Sequence, residues 1–450
     1  MTEHGTPPAR PRPAGRGRSG TGGRTRRWRH GRPRAFIGLA VAALAASGLA
    51  ACGTANAGTG PVTLSFYLYP DNSGATQTAI KNCDAQSHGK YVISYQELPN
   101  ASDGQRQQLV RRLAAHDSTI DIMGLDVTWE AEFAQAGWAV PWTGANKAKA
   151  EDGTLTPALD TALWKGKLYA VPDNSNTQLL WYRSDLVKKP PTTWAQMISD
   201  AEQLAKEGKP HYIEIQGAQY EGATVWFNTM VQSAGGTILN PSATKVTLGA
   251  PAVKAMSIMH ELATSSAADP SLDVQEENQN RLAMEDGTAA FELNYPFVYP
   301  AMKLDNPKLF KSFKWALYPE VNPGTPAKVT IGGTDLAISA YSKHKALAFQ
   351  AALCLRDSQN QIIGANVGGV PPTITSLYNN PKLFADYPFH ADILQALEHA
   401  SVRPKSPVYQ VVSIDISHLI APAVGISPKG TEQTMVTELG NALQSKGLVP

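Results

Sequence analysis

Apolar and polar positions alternate along Val62-Thr-Leu-Ser-Phe-Tyr-Leu-Tyr69, and the β-branched and aromatic content of the run predicts a strand. Ser73 to Cys83 reads as a helix and Tyr91-Val-Ile-Ser-Tyr95 as a second strand. Asp103 is a candidate N-cap for a helix that places Leu109, Val110 and Leu113 on one face. Ile120 to Leu125 predicts a third strand, followed by a helix from Trp129 to Ala136 that Gly137 stops. This βαβαβ order requires a parallel sheet with right-handed crossovers.

Further along, Leu168 to Pro172 leads through a polar cluster into Leu179-Leu-Trp-Tyr182. Helices are expected over Trp194–Ala205, Thr224–Ser233, Ala252–Ala263 and Asn278–Glu285, with strands at Tyr212–Gln216 and Gly287–Asn294. Val329–Ile338 predicts a strand interrupted by glycine, and Lys343–Arg356 a helix. Gly364–Pro372 reads as a punctuated connection, and Asp392–Ala400 and Glu432–Ser445 as closing helices. Proline-marked junctions near Pro172 and near Pro296, and a third, glycine-punctuated stretch between Arg356 and Gly368, suggest three chain crossings between two lobes.

Several polar residues fall just after the early strands. Asp71 and Asn72 follow the first, Asn100 to Gln105 the second and Asp126 the third. In open α/β sheets that edge binds ligands, although Asx residues there also cap helices. Asp126 stands out because Leu125 and Val127 flank it.

The 450 residues, 42% hydrophobic and 17% charged, exclude collagen-like, disordered and coiled-coil classes. The net charge of +2 conceals an asymmetry. Ten arginines and one acid occupy residues 1–34, ahead of the apolar run Phe36 to Ala50. That arrangement reads as an export signal, too short for a confident span of about 20 apolar residues. Leu49-Ala-Ala-Cys52 resembles a bacterial lipobox, which implies lipidation of Cys52, with residues 1–51 as signal and 52–60 as a flexible tether. Without residues 1–51 the charge becomes −7, since ten of 40 cations and one of 38 acids depart. No basic cluster remains, so no nucleic-acid partner is expected. Cys83 and Cys354 are the remaining cysteines, expected to bridge in an exported chain, with two buried thiols as the alternative.

Lys167-Leu-Tyr-Ala-Val-Pro172, Leu179-Leu-Trp-Tyr182, Ala289-Ala-Phe-Glu292 and Gly368-Gly-Val-Pro-Pro372, together with the lipobox, resemble the extracellular solute-binding proteins of carbohydrate ABC importers. Gln105-Arg106, Leu125-Asp-Val127, Val225-Trp-Phe-Asn228, Lys328 to Gly333 and Val402-Arg-Pro404 further resemble the mycobacterial trehalose-binding lipoproteins. The resemblance implies an α/β fold of two lobes with a hinge and a central ligand cleft. Lobe 1 would span 61–172 and 301–357, and lobe 2 would span 173–300 and 358–450, which puts both Cys83 and Cys354 in lobe 1. It implies a disaccharide ligand, trehalose first, delivery to an ABC permease and a lipid-anchored place on the outer membrane face. No cofactor or metal is implied.

Carried over by position, the implied ligand residues are Asn72, Gln105, Asp126, Asn176, Glu277, Tyr295, Gly332, Gly333 and Arg403. Asp126, Glu277 and Arg403 would bind hydroxyls, and Tyr295, where those relatives carry Trp, would supply the stacking face. The segment Leu304–Phe313 is also shorter than in those relatives. The competing classes are an exported glycoside hydrolase, which needs two carboxyls flanking the bond, and a surface sugar sensor. Asp126 and Glu277 are the candidate carboxyls, but nothing in the sequence pairs them. No Ser-His-Asp, metal-ligand or dinucleotide pattern is evident.

Overall fold

The computed structural model describes residues 60–445. The signal, Cys52 and nearly all of the tether lie outside these residues.

The first three strands form where the pattern places them, at Val62–Leu68, Tyr91–Glu97 and Ile122–Asp126. They pair in parallel, with Val62–Leu68 in the middle. Helices Ala75–Gln86 and Ser102–Ala114 make the crossovers. Ile122, Met123, Gly124 and Leu125 are all buried, as expected of a parallel strand covered on both faces. Two later strands, Gly332–Ile338 and Ala170–Asn176, complete a five-stranded sheet. Gly332–Ile338 runs antiparallel to both of its neighbours, so the sheet is mixed. Leu64, Phe66, Leu109, Leu113, Phe133 and Ile338 lie at the centre of its core.

A second sheet orders Phe313–Ala316, Leu179–Arg183, Ala289–Asn294 and Tyr212–Glu214. The helix Trp194–Lys206 illustrates why its core forms. The Thr193 hydroxyl caps the first turn by accepting from Gln196 N at 3.2 Å. Trp194, Met197, Ile198, Ala201 and Leu204 then recur at helical spacing and are buried. Each large side chain among them contributes about 2 kcal/mol. Trp194, Trp226, Phe227, Phe291 and Ile416 fill this core, while Trp181, Phe313, Tyr387 and Phe389 pack in a separate cluster on strands of the same sheet.

The sheets together make a two-lobed periplasmic-binding-protein architecture, and the observed elements relocate all three expected crossings. The first crossing, expected near Pro172, follows Asn176, because Ala170–Asn176 stays in the first sheet until Leu179 begins the second. The second crossing is not at Pro296. Trp315 pairs with Trp181, so the chain stays with the second sheet through Ala316 and reaches the first only at Gly332. Residues 301–316 therefore do not belong with the first lobe as expected. The expected connection through Gly364 is helical, over Ser358–Gly368. This helix stays with the first lobe, where Asn82 Nδ2 donates to Asn360 Oδ1 at 2.9 Å. The third crossing follows it: Ser175 N donates to Pro371 O at 2.9 Å, and Asn174 bridges Pro372.

Cys83 and Cys354 form a disulfide between Ala75–Gln86 and Lys345–Leu355. Both helices cover the first sheet, so the bridge ties elements within one lobe.

Candidate functional site

Asp126 ends the third strand of the first sheet. Its Oδ1 accepts from Thr128 N at 3.0 Å and Thr128 Oγ1 at 2.7 Å, and Arg403 Nη2 reaches it at 3.4 Å. Arg403 belongs to a segment tied to the second lobe, where Ser401 pairs with Val329 and Ile331 and Asn228 contacts the Ser401 hydroxyl. Its other terminal nitrogen donates to Glu221 Oε1 at 2.5 Å. Glu221 opens the helix Glu221–Ser233 and also accepts from the Tyr409 hydroxyl at 2.5 Å and the Ser413 hydroxyl. A nearly buried guanidinium is thus held between a carboxylate of each lobe. Burial disfavours its charge, but Asp126, Tyr409 and Glu221 outweigh burial and raise its pKa well above the ordinary value.

Tyr295 follows the strand Ala289–Asn294, and Asn294 Oδ1 accepts from Tyr295 N at 2.8 Å. Asn294 Nδ2 donates to Glu277 O at 2.9 Å, locking the start of helix Glu277–Asp286 beside it. Burial and then the nearby Glu277 raise the Tyr295 pKa, with Arg403 opposing and Asp126 and Glu221 adding. Burial also raises the Glu277 pKa, against its own backbone amide and the Tyr220 hydroxyl. Gly222 makes room for Tyr220, since a Cβ there would lie 2.2 Å from its ring. Tyr295, Glu277, Arg403, Asp126 and Glu221 therefore share one electrostatic neighbourhood, with contributions from both sheets.

Asn176, Gly332 and Gly333 meet at the crossing, where Gly332 pairs with Asn176. Gly333 has φ +127°, and a Cβ would lie 2.3 Å from Asn174 O. Asn176 Oδ1 and Arg403 Nε are buried without a protein hydrogen-bond partner.

Two expected residues are less integrated. Asn72 is exposed, and its neighbour Asp71 caps the next helix by accepting from Ser73 N at 2.8 Å and Thr76 N at 2.7 Å. Gln105 is buried, with its amide donating to Asn100 O at 3.0 Å. Sequence reasoning did not identify Glu221, Tyr409 or Ser413. An acid in a first helical turn is ordinary, and only the folded Arg403 segment reveals this one's role.

Among the described residues, no group of three or more His, Cys, Asp or Glu is placed to hold a metal ion, and no helix is long and apolar enough to cross a membrane. The arrangement can hold several hydroxyls through charged and amide groups around one aromatic ring.

Residues 76–361 match the family model described as bacterial extracellular solute-binding protein. A "probable ABC transporter-binding protein" of Deinococcus radiodurans is 28% identical over 332 residues, covering 70% of this chain and 76% of that protein. Maltose-bound MalE3 of T. maritima superposes with a TM-score of 0.77 at 26% identity, covering 84% of this chain and 99% of that one. The GacH receptor of Streptomyces glaucescens shares the fold, with a TM-score of 0.74 at 22% identity, covering 85% and 99% respectively.

Proposed function

The chain belongs to the bacterial extracellular solute-binding proteins, a family of binders rather than enzymes, and from that premise we propose that its solute is an uncharged α-linked disaccharide. Trehalose is the first candidate and maltose the second. The observation that carries the reading is Arg403, held between Asp126 of one lobe and Glu221 of the other, with Tyr295 and Glu277 tied to each other through Asn294. Charge-assisted bonds to hydroxyls are worth about 1.5–3 kcal/mol each, and the phenol ring offers an apolar face to a pyranose. Asn176, Gly332 and Gly333 extend the polar wall at the crossing. The T. maritima relative's maltose supports the same ligand class.

In this reading the lobes close over the sugar, and a membrane permease receives it from the closed form. A lipid on Cys52 tethers the protein to the outer face of the cell membrane. The hydrolase alternative loses ground because the matching family and the solved relatives are solute-binding proteins.

Thermal unfolding with trehalose, maltose and glucose tests the proposal, because a ligand that binds only the folded state raises its stability by mass action. A disaccharide should raise the melting temperature with no glucose released. Asp126→Ala should abolish that shift. Glucose release, or an undiminished shift in Asp126→Ala, would contradict the reading.

A further inference from the structure

Residues 403–410 carry contacts that sugar recognition does not explain. The segment is anchored at both ends to the second lobe. Ser401 pairs with Val329 and Ile331 before it, and Val411 and Val412 enter the second core after it. Between these anchors, Arg403 and Gln410 reach two elements of the first lobe, and Lys405 reaches a short helix at the junction, whose Leu159 packs against the first core while its Ala158 packs into the cluster on the second sheet. Arg403 meets Asp126 at the end of Ile122–Asp126. Lys405 Nζ donates to Asp160 Oδ1 at 2.8 Å and to Asp160 O at 2.9 Å. Asp160 lies on the helix Thr156–Thr161, whose Thr161 hydroxyl donates to Asp335 Oδ2 at 2.9 Å in the first sheet. Gln410 Nε2 donates to Asp103 Oδ1 at 2.8 Å, in the first turn of Ser102–Ala114.

The complementarity is one-sided. All three acceptor residues are aspartates, and the segment from Arg403 to Gln410 contains two cations and no acid. Pro404 and Pro407 fix two of its φ angles, so the side chains are presented by a stiffened backbone.

We propose that residues 403–410 are a closure strap whose Lys405 and Gln410 tune affinity without touching the solute. The proposal rests on the lobe-closure reading above. Contacts made only in the closed form raise the closed population of the unliganded protein. The apparent dissociation constant falls as the competent fraction rises. An uncharged solute should then bind less tightly as ionic strength rises, because partly exposed ion pairs are screened over about 8–10 Å at 0.1–0.15 M salt.

The test uses Lys405→Glu, Asp160→Lys, their double charge swap, and Gln410→Ala in the purified protein. The first measurement is the radius of gyration of the unliganded protein by small-angle scattering. Each single variant should be more open than wild type, and the charge swap should recover most of the difference. The second is dissociation of trehalose and maltose by stopped flow. The single variants should release bound sugar about two- to fivefold faster, the range of one partly exposed pair. If Lys405→Glu and Gln410→Ala both match wild type in radius and release rate, the strap is refuted. If the singles open the protein but the swap recovers nothing, its electrostatic basis is refuted. Should Lys405→Glu fail to fold, Gln410→Ala, facing the exposed Asp103, decides alone. Absence of binding to either sugar would count against the disaccharide reading, while scattering would still decide the strap.

Discussion

Glu221 concentrates the site's energetics in one carboxylate. It takes hydrogen bonds from Arg403, Tyr409 and Ser413, so truncation would leave Arg403 buried with only the longer contact to Asp126 at 3.4 Å. Breaking one side of a buried ion pair costs about 3–5 kcal/mol because the remaining charge is uncompensated. Glu221→Ala should therefore lower unfolding free energy by about 3 kcal/mol in urea titration and weaken solute binding as Arg403 loses its orientation. Glu221→Gln should cost less, since it keeps an acceptor. A wild-type urea midpoint for Glu221→Ala would show that Arg403 finds another partner. This residue was not legible from sequence, whereas the position of Asp126 at a strand end was. Asp126 sits between apolar neighbours at a strand end, and that position follows from the alternation of strands and helices. The role of Glu221 depends on Arg403, which lies 182 residues further along. The Asp71–Asn72 pair divides in the way ordinary turn chemistry suggests, with Asp71 capping a helix.

Elements were legible where local periodicity decides them and obscure where packing does. The strand Val62–Leu68 and the helix Trp194–Lys206 follow their hydrophobic patterns closely. The strand Phe313–Ala316 gave no cue that it pairs with Leu179–Arg183, because pairing partners are non-local. Gly364 and Gly368 read as breakers yet lie in a helix. A Cβ at Gly364 would lie 3.2 Å from Val370 Cγ2, and one at Gly368 would lie 3.2 Å from Ser73 Oγ. Close approach to these neighbours offsets the roughly 1 kcal/mol that glycine costs in a helix. The disulfide joins two helices across 271 residues of sequence, and closing so long a loop strongly restricts the unfolded chain. Replacing both cysteines by serine should lower unfolding free energy by about 2–4 kcal/mol. Because both ends lie in one lobe, solute release rates should stay near wild type. A large change in release rate would show that the bridge also constrains closure.

At the scale of the whole molecule, buried carboxyls set an unusual pH profile. Glu214 and Glu292 are paired by register on adjacent parallel strands, and both are fully buried. Burial pushes each carboxyl up to about 8; Asp269 and Glu292 add to the rise at Glu214, and Glu285 adds to that at Glu292. Asp173 is likewise raised by burial to about 6. The unfolded chain releases these protons near the ordinary carboxylate range, while the folded chain keeps them. Stability from these groups is therefore complete below about pH 4, declines between about 5 and 8, and is lost above 8. The slope can reach about 1.4 kcal/mol per pH unit for each group. Asp185 acts in the opposite sense, because Arg183 holds it down to about 2. Its stabilisation exists above its unfolded pKa and is lost in strong acid. The two effects together place maximal stability in mild acid. Urea midpoints should fall steadily from pH 5.5 to 8.5, and Glu214→Gln, which removes the proton without removing the shape, should flatten that fall. A profile that rises toward pH 8 would mean that this buried pair is already ionised in the folded protein, with a compensating partner beyond Gln275, Asn280 and Asn294.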